Sequence, residues 1–373
     1  MDIFLIKLLI PFASLVSFFI VFATIPTIIK VTRSKGMFAD SNGRTLHKTA
    51  IPNLGGIAIF MSFLFTYSIF SDWFSFTKIP FLIPSILIIF AIGIKDDIMI
   101  TAPIVKLMGQ ICAAFIIVAW GDVRITSFHG FFGIEPDYLT SITFSIFLFV
   151  FIINGFNLID GIDGLASTVA IISITSFMVW FYINDDYHIP VFSAVLIGVL
   201  LAFMYYNVFS KTNKIFMGDT GSLILGFLIV IAAIRFCEFN IPENRHNLKY
   251  TMDSAPAVAI GILIVPIIDT IRVFIFRLSR GNSPFTADKN HIHHRMLTLG
   301  FTHLQTSLII GGVNIVFVIL SYTLKDLGVL KLSLLIFTLG LGCSYIPAIF
   351  ILRRKKKIKY IAAEYRRENI DDK

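Results

Sequence analysis

The sequence has little charge for its length of 373 residues. Charged residues make up 14% of it, whereas a soluble globular domain carries roughly 25%. Hydrophobic residues make up 56%, the mean hydropathy is +0.84, and apolar runs of about 20 residues recur along the whole chain. Each run is long enough to cross a bilayer as a helix, so the composition excludes a soluble domain and indicates an integral membrane protein.

Cysteine is also scarce. Cys112, Cys237 and Cys343 lie in or beside apolar runs without the spacing of metal ligands, which argues against a disulfide framework and a cysteine zinc site. The chain has no G-x-G-x-x-G or G-x-x-x-x-G-K-[ST] motif in a strand-to-helix context, so neither dinucleotide nor Walker-type phosphate binding is indicated. The net charge of +8 reports the topology of membrane loops, and we expect no nucleic acid partner.

The apolar runs predict an all-α polytopic integral membrane protein with about eleven transmembrane helices. The predicted spans cover residues 3–29, 54–74, 79–94, 103–120, 139–156, 165–183, 190–209, 220–239, 256–276, 304–324 and 331–352. The chain starts with Met1 and Asp2 and lacks a basic segment before the first run, so we interpret this run as a retained span. We expect residues 1–352 to form a single membrane domain that a basic tail at 353–373 follows.

Lysine and arginine concentrate in alternate loops of this predicted topology. One set of loops, together with the C-terminal tail, holds Lys30, Arg33, Lys35, Arg44, Lys48, Lys95, Lys106, Lys211, Lys214, Arg272, Arg277, Arg280, Lys289, Arg295 and the segment RRKKKIK. The other loops hold fewer basic residues, often beside acids such as Asp185 and Glu243. The positive-inside rule therefore predicts that the first set and the C-terminus lie in the cytoplasm and the N-terminus outside.

Five stretches rich in polar residues fall on this predicted cytoplasmic side. They are GRTLHKTAIPNLGG at 43–56, KDD at 95–97, NGFNLIDGIDG at 154–164, NKIFMGDTGS at 213–222, and residues 277–295, which contain NHIHHR. In the third stretch, acids follow an apolar run although they are costly in lipid, and Gly155, Gly161 and Gly164 favour a broken or tightly turned backbone. We interpret it as the lip of an aqueous active site; a short polar loop is the alternative.

Oxygen ligands in these stretches suit a hard cation. Asn157 and Asp160 are spaced i, i+3 and share a face if helical, and their oxygens are of the kind that Mg²⁺ binds together with substrate phosphates. Asp219 lies at the start of a span, where glycines allow a phosphate to approach closely; its alternative role is an N-cap. Asp96 and Asp97 do not share a helix face, so we expect them to do different jobs unless they only form a solvated helix end.

Basic side chains provide candidate phosphate contacts. Lys106 lies near the start of the next span. It either reaches the predicted active-site cavity and binds a phosphate there, or it is only one of the basic residues that set the orientation of the loops. His291, His293 and His294 lack the spaced pair and acid of an H-E-x-x-H zinc site. With the basic residues on either side they predict a cationic, hydrogen-bonding clamp for a pyrophosphate or sugar, and a solvated basic loop is the alternative.

Taken together, the segments KDD, NGFNLIDGIDGLA, FMGDTGS and NHIHH, in this order on one membrane face, resemble the polyprenyl-phosphate N-acetylhexosamine-1-phosphate transferases. The resemblance extends from Lys35 to Arg295 and is closer to the WecA- and TagO-like branch than to MraY. It implies one transmembrane transferase domain at 1–352, with cytoplasmic active-site loops, in the cell inner membrane. The implied reaction transfers a sugar 1-phosphate, with GlcNAc-1-phosphate the first candidate, from a UDP-sugar to undecaprenyl phosphate or another polyprenyl phosphate. It releases UMP and initiates a lipid-linked cell-envelope glycan.

The resemblance also implies roles for single residues. Asp96 and Asp97 would be the catalytic pair, with Asp96 the candidate base. Asn157 and Asp219 would bind Mg²⁺, with Mn²⁺ as an alternative ion. The implied substrate contacts are Lys48, Lys106, Asp160, Asp163, Asn207, Phe216, His291, His293 and His294, and among them Phe216 would stack on uracil. Family members often carry a further acid in a DDxxD pattern, whereas this chain has Ile100 at that position.

The resemblance leaves three questions open. A single displacement and a covalent aspartyl-phosphate route both fit the implied residues. A homodimer is compatible with the family. The N-acetylhexosamine and the downstream glycan are not specified by the sequence.

Two other functions fit parts of the pattern. A secondary transporter would carry acids at the midplane of broken helices and often a paired repeat, whereas the acids here lie at the inner ends of predicted spans and no repeat is visible. A membrane zinc hydrolase would use the histidines alone. The transferase is favoured because it accounts for all the polar stretches together.

Overall fold

The computed structural model describes residues 3–35, 51–71, 79–99, 101–131, 133–281 and 291–371. Within these residues every regular element is a helix, which confirms the predicted all-α class. Lys48 and Ile100, and most of the first polar stretch, lie outside the described residues.

Thirteen α-helices follow one another in the described part of the chain. They are α1 (Ile3–Lys35), α2 (Gly55–Ser71), α3 (Ile79–Ile98), α4 (Pro103–Phe115), α5 (Tyr138–Ile159), α6 (Leu165–Ile183), α7 (His188–Met204), α8 (Gly218–Phe239), α9 (Ala255–Ile262), α10 (Ile264–Leu278), α11 (Ile292–Thr298), α12 (His303–Thr323) and α13 (Val329–Asp371). Short π-helical segments continue α4 to Trp120 and α7 to Phe209. Helix α13 extends to Asp371, within the segment 353–373 that was predicted to be a basic tail.

Eight helices of the described chain are long and apolar enough to cross a membrane. They are α1, α4 with its π segment, α5, α6, α7 with its π segment, α8, α12 and α13. The bent pair of α9 and α10 counts as a ninth if it forms one span, and α2 is apolar but shorter. A polytopic membrane protein is therefore confirmed, whereas the count of eleven crossings and the orientation stay predictions.

The bend between α9 and α10 measures 77° and has a chemical cause. Pro266 has no backbone N–H, so it cannot donate to the carbonyl of Ile262 one turn earlier, and its ring crowds that carbonyl. Side chains of two other helices take over the freed oxygen: Asn314 Nδ2 of α12 lies 3.0 Å from Ile262 O, and Ser173 Oγ of α6 lies 3.2 Å from it. The backbone polar group at the break is thus satisfied inside the protein, as membrane depth requires.

The bundle is built around α8, whose side chains are mostly buried and which packs against α2, α3, α5 and α6. At the edge of the bundle α1 packs along α7, and a glycine sets their separation. A Cβ on Gly198 would lie 2.0 Å from Ser14 O and 2.3 Å from Ser17 Oγ. Ser17 Oγ also donates to Val195 O at 2.9 Å. Small side chains let the two backbones approach closely, as in other helix pairs of membrane proteins.

We expect Gly198→Ala to lower the thermal stability of the purified protein in detergent. The added methyl group meets the backbone oxygen of Ser14, so the helices must separate, at a cost of about 1–3 kcal/mol for an overpacked contact. Gly312→Ala is the matched control, because Gly312 is a helical glycine with open space around it. This variant should be neutral or slightly stabilised, since alanine favours the helix. Equal melting temperatures for the two variants would contradict the close α1–α7 contact.

Candidate active site

The described parts of the polar stretches meet at one end of the bundle. The ends of α3 and α5, the starts of α4, α8 and α12, and the short helix α11 all contribute to it. Arg33 at the end of α1 reaches the same end, where its Nη2 donates to Thr212 O at 2.8 Å. The clustering that the sequence predicted is therefore seen for the residues that the structure describes.

Asp97 of α3 holds the N-terminus of α8. Its carboxylate accepts hydrogen bonds from the backbone N–H groups of Asp219 at 2.7 Å and Thr220 at 3.0 Å, and from the Thr220 hydroxyl at 2.5 Å. Gly218 adopts φ 72°, and a Cβ there would lie 2.6 Å from the Asp97 carboxylate. A negative group at a helix N-terminus satisfies free N–H groups and interacts favourably with the helix dipole. Asp97 thus caps the N-terminus of α8. Capping was the alternative role that the sequence offered for Asp219.

Asp219 directs its side chain to a basic residue instead. Lys106 Nζ lies 2.5 Å from Asp219 Oδ2 and 2.5 Å from Asp96 Oδ2, so one ammonium group bridges the carboxylates of α3 and α8. Asp96 Oδ1 also accepts from the Thr101 N–H at 2.8 Å. Asp96 and Asp97 have different partners, in agreement with the expectation that adjacent helical residues do different jobs.

Asn157 lies beside this group. Its Nδ2 donates to Ser222 Oγ at 2.9 Å, and Ser222 is on α8 one turn after Asp219. Because the amide nitrogen is engaged, the carbonyl oxygen is the atom of Asn157 that is left to bind a ligand. One turn earlier, Asn154 Nδ2 donates to Gln110 Oε1 at 2.6 Å and ties α5 to α4.

The site holds excess negative charge. Burial raises the pKa of the Asp160 carboxyl well above its usual range, and the charge of Asp219 and of two other carboxylates raises it further. A bound cation would relieve this repulsion. Asp219 and Asn157 supply hard oxygens, which fit Mg²⁺ with water and phosphate oxygens as the remaining ligands. No group of three or more His, Cys, Asp or Glu among the described residues has metal-binding geometry, so such an ion would depend on an amide and on substrate oxygens.

The loop between α5 and α6 is fixed from several sides. Asp163 Oδ2 lies 2.6 Å from Lys214 Nζ and 3.0 Å from His303 Nδ1. Burial alone would raise the pKa of Asp163, but the hydrogen bonds from His303 and Lys214 lower it. Gly164 adopts φ 77° and donates its N–H to Asn207 Oδ1 at 2.7 Å, while Asn207 Nδ2 donates to Ile215 O at 2.9 Å.

The structure adds to one prediction for this region and corrects another. Asn207 is buried, and both ends of its amide bind backbone groups, so it joins the α5–α6 loop to the segment before α8, while its contact with the substrate stays a prediction. Gly155 is not at a turn but inside α5, where a Cβ would lie 3.2 Å from Pro266 Cβ. The break predicted from the three glycines lies at 160–164 only.

Phe216 is an aromatic side chain at the rim of the site, with 37% of its surface exposed. Its N–H donates to Pro52 O at 2.8 Å, and its carbonyl accepts from the Gly55 N–H at 3.0 Å, so the end of the first polar stretch supports it. Lys214 Nζ lies 5.8 Å from the ring centroid. An exposed ring on a fixed backbone can stack on a flat, apolar face of a ligand.

Asp269 of α10 organises the histidine motif, which forms the start of α11 rather than a loop. Its carboxylate lies 2.7 Å from His291 Nδ1 and accepts from the Ile292 N–H at 2.9 Å and from Arg272 Nη2 at 2.8 Å. His291 and Asp269 are both buried. This carboxylate therefore fixes both the ring of His291 and the beginning of α11.

His293 packs against the α5–α6 loop. It is buried, and a Cβ on Gly161 would lie 2.2 Å from its Nε2. Burial lowers the pKa of the His293 imidazole to about 3, against the opposing charge of Asp269. With this pKa the His293 ring is a neutral hydrogen-bonding group rather than a cation near pH 7, and the substrate clamp as a whole stays a prediction. His294 is partly buried and completes the cluster, with its ring centroid 4.4 Å from that of His293.

A cavity of about 410 Å³ opens beside Lys106 between α4, α5 and α10. Its polar lining includes Lys106, Asn157, Thr270 and the buried Arg277. Its apolar lining is formed by Pro103, Leu107, Phe147, Val150, Phe151, Leu158 and Phe274. A cavity with one charged region and an apolar wall can bind an amphipathic molecule with an anionic head.

Most of the predicted site residues come together in this end of the bundle. Those within the described chain are Asp96, Asp97, Lys106, Asn157, Asp160, Asp163, Asn207, Phe216, Asp219, His291, His293 and His294. Sequence reasoning missed Asp269, Lys214 and His303. Asp269 carried a usable signal, because it is an acid inside an apolar span with an arginine three residues later. His303 carried none, since a histidine at the start of a span usually faces solvent.

Comparisons with known proteins identify the family of this chain. The model of glycosyl transferase family 4 matches residues 79–237, which include Asp96, Lys106, Asn157 and Asp219. The chain is 31% identical over 309 residues to decaprenyl-phosphate N-acetylglucosaminephosphotransferase of Mycobacterium tuberculosis (strain CDC 1551 / Oshkosh), covering 78% of this chain and 76% of the relative.

Two further relatives have similar coverage. The enzyme of the same name from Mycobacterium leprae is 31% identical over 287 residues, covering 72% of this chain and 71% of the relative. The undecaprenyl-phosphate alpha-N-acetylglucosaminyl 1-phosphate transferase of Escherichia coli (strain K12) is 25% identical over 285 residues, covering 75% and 74%. By this identity, this coverage and its motifs, the chain belongs to glycosyl transferase family 4, as a membrane enzyme of the polyprenyl-phosphate N-acetylglucosamine-1-phosphate transferase type.

Proposed function

We propose that this protein transfers GlcNAc-1-phosphate from UDP-GlcNAc to undecaprenyl phosphate, with release of UMP. The observation that carries the proposal is the Lys106 ammonium group between Asp96 and Asp219, beside a cavity with an apolar wall. The relatives named above act on decaprenyl or undecaprenyl phosphate and transfer N-acetylglucosamine phosphate, and their names support the same substrates here. The product would be the first lipid-linked intermediate of a cell-envelope glycan.

The cavity between α4, α5 and α10 is where we place the lipid phosphate. Lys106 and Arg277 would bind the phosphate oxygens, since ammonium and guanidinium groups form strong hydrogen bonds with phosphate. The first isoprene units would lie against Phe147, Phe151 and Phe274. An acceptor with a phosphate head and an apolar chain matches both parts of this lining, whereas a free phosphate would use only one.

The UDP-sugar would enter from the side of the α5–α6 loop. Phe216 is exposed enough to stack on the uracil ring. Asp160 and Asp163 lie on the loop next to it, and His291, His293 and His294 approach from α11, where His293 contacts Gly161. The pyrophosphate would then lie beside Lys106, whose ammonium group Asp96 and Asp219 hold in place. Mg²⁺ held by Asp219 and Asn157, or Mn²⁺ in its place, would neutralise the pyrophosphate and polarise the reacting phosphorus.

The reaction forms one phosphorus–oxygen bond and breaks another. An oxygen of the lipid phosphate attacks the phosphorus that carries the sugar, and the bond from that phosphorus to the bridging oxygen of UMP breaks. Lys106 stabilises negative charge on the phosphoryl oxygens, and Asp96 holds Lys106 in place as well as being the candidate base. Asp97 acts by fixing the start of α8 and thereby Asp219. A covalent phosphoaspartate on the way is equally consistent with this arrangement.

The proposed reaction separates this function from the alternatives. Purified protein in detergent should release UMP only when UDP-GlcNAc, undecaprenyl phosphate and Mg²⁺ are all present. A panel of UDP-N-acetylhexosamines, with mass spectrometry of the lipid product, identifies the sugar. UMP release without the lipid would indicate a hydrolase, and absence of UMP with every sugar and polyprenyl phosphate would contradict the proposal.

We infer that the site faces the cytoplasm, because basic residues concentrate at its end of the bundle. To test this orientation, the native cysteines are first changed to serine. A single cysteine is then placed at position 211, 244 or 354 in separate variants. An impermeant maleimide added to intact cells should label position 244 and should reach positions 211 and 354 only after the cells are opened. Labelling of position 211 from outside would overturn the orientation.

Asp219→Asn tests the metal site. Asparagine keeps the shape but removes the charge, so we expect Mg²⁺ to bind more weakly and turnover to fall by about a hundredfold or more. The control is Asp122→Asn, the same change at the other end of the bundle, which should leave turnover unchanged. The measurement is a magnesium titration of UMP release at matched protein concentration. Equal rates and equal half-saturating Mg²⁺ for Asp219→Asn and the wild type would remove Asp219 from the site.

A further inference from the structure

We propose that His303 is a positioning residue that orients Asp163 for the uridine nucleotide. The inference rests on the proposed function, because it assigns a task in donor binding. Its basis is a contact between the first residue of α12 and a loop 140 positions earlier in the chain.

The contact between His303 and Asp163 is made by one ring nitrogen and one carboxylate oxygen. His303 Nδ1 lies 3.0 Å from Asp163 Oδ2. The same Nδ1 lies 3.5 Å from the Asp163 N–H, which is the longer of its two contacts with this residue. An ionised carboxylate can only accept, so the shorter contact is a hydrogen bond when Nδ1 carries the proton. Lys214 Nζ lies 2.6 Å from the same Oδ2. Both donors thus hold one carboxylate oxygen, and the other oxygen, Oδ1, has no hydrogen bond among the described residues.

Helix α12 also holds the backbone of the loop. Ser307 Oγ, one turn after His303, donates to Asp163 O at 2.9 Å. Two side chains on one face of α12 therefore fix both the carboxylate and the carbonyl of Asp163. The start of α12 is itself rigid, because Thr302 and Gln305 form a capping box.

The contact leads directly to the rim where the nucleotide would bind. Lys214 joins Asp163 to Phe216, whose ring centroid lies 5.8 Å from Lys214 Nζ. His303, Asp163, Lys214 and Phe216 thus form one connected row. The row would set the distance between the exposed aromatic ring and the free oxygen of Asp163. A uridine nucleotide needs both an aromatic surface for its base and an acceptor for its N–H or hydroxyl groups.

The role differs from that of the residues around Lys106. Among the described residues, Asp163 forms no hydrogen bond with Lys106, Asp96 or Asp219. Loss of His303 should therefore weaken binding of the nucleotide without slowing the phosphoryl transfer step. A loss of uniform binding of this kind raises KM and leaves kcat unchanged.

The test uses the full-length protein in detergent, the single variants His303→Ala, His303→Asn, Thr302→Ala and Asp163→Ala, and the double variant of His303→Ala with Asp163→Ala. We expect His303→Ala to raise both the Kd of UDP, measured by calorimetry, and the KM of UDP-GlcNAc by about tenfold. This is the effect expected when one hydrogen bond to a charged group is lost. The KM of undecaprenyl phosphate and kcat should stay within about twofold. His303→Asn should restore most of the affinity, because its side-chain N–H lies as far from the backbone as Nδ1 of histidine.

Thr302→Ala separates positioning from simple damage to α12. It weakens the same helix start but keeps the contact between His303 and Asp163, so its UDP affinity should match the wild type. In the Asp163→Ala background, His303→Ala should have no further effect on UDP binding, because its target is gone.

Unchanged UDP affinity in His303→Ala would overturn the inference, and so would an equal loss in Thr302→Ala. If the wild type bound UDP but transferred no sugar phosphate, the proposed function would fail while the UDP measurement would still decide the role of His303.

Discussion

The hydrogen bonds from the start of α8 to the Asp97 carboxylate are the interaction on which the rest of the site depends. They connect the C-terminal end of α3 to the central helix of the bundle and leave no room for a side chain at Gly218. With α8 fixed in this way, Asp219 can share Lys106 with Asp96, and Ser222 can hold Asn157. Two neighbouring aspartates therefore have different partners: Asp97 holds the start of α8, and Asp96 binds Lys106.

Much of the fold and the site could be predicted from the sequence, because the membrane imposes strong patterns. Apolar runs marked the helices, and acids at their ends marked the site, since charge in lipid needs a purpose. Asn157 and Asp219 are far apart in the chain, and the family resemblance implied that both bind one Mg²⁺. The structure brings them together through Ser222.

Residues that depend on tertiary contacts could not be predicted in the same way. A histidine motif says nothing about which carboxylate will lie beneath it, so the neutral, buried state of His293 and the contact of His291 with Asp269 appeared only in three dimensions. The sequence likewise showed no sign that both ends of the Asn207 amide bind backbone groups, because its partners, Gly164 and Ile215, come from loops on either side of it. The sequence shows which residues are polar, whereas their burial in the folded protein determines which of them can still contact a ligand.

The break before α10 has a consequence for how substrates are received. Because Asn314 and Ser173 from two other helices bind the carbonyl freed by Pro266, the angle of α10 is locked by the surrounding bundle. The helix that carries Asp269, Thr270 and Arg277 is thus a preformed wall of the cavity rather than a hinge. The entropy of ordering this wall is lost once, when the chain folds, and does not have to be lost again when the cavity takes up the lipid phosphate that we propose for it.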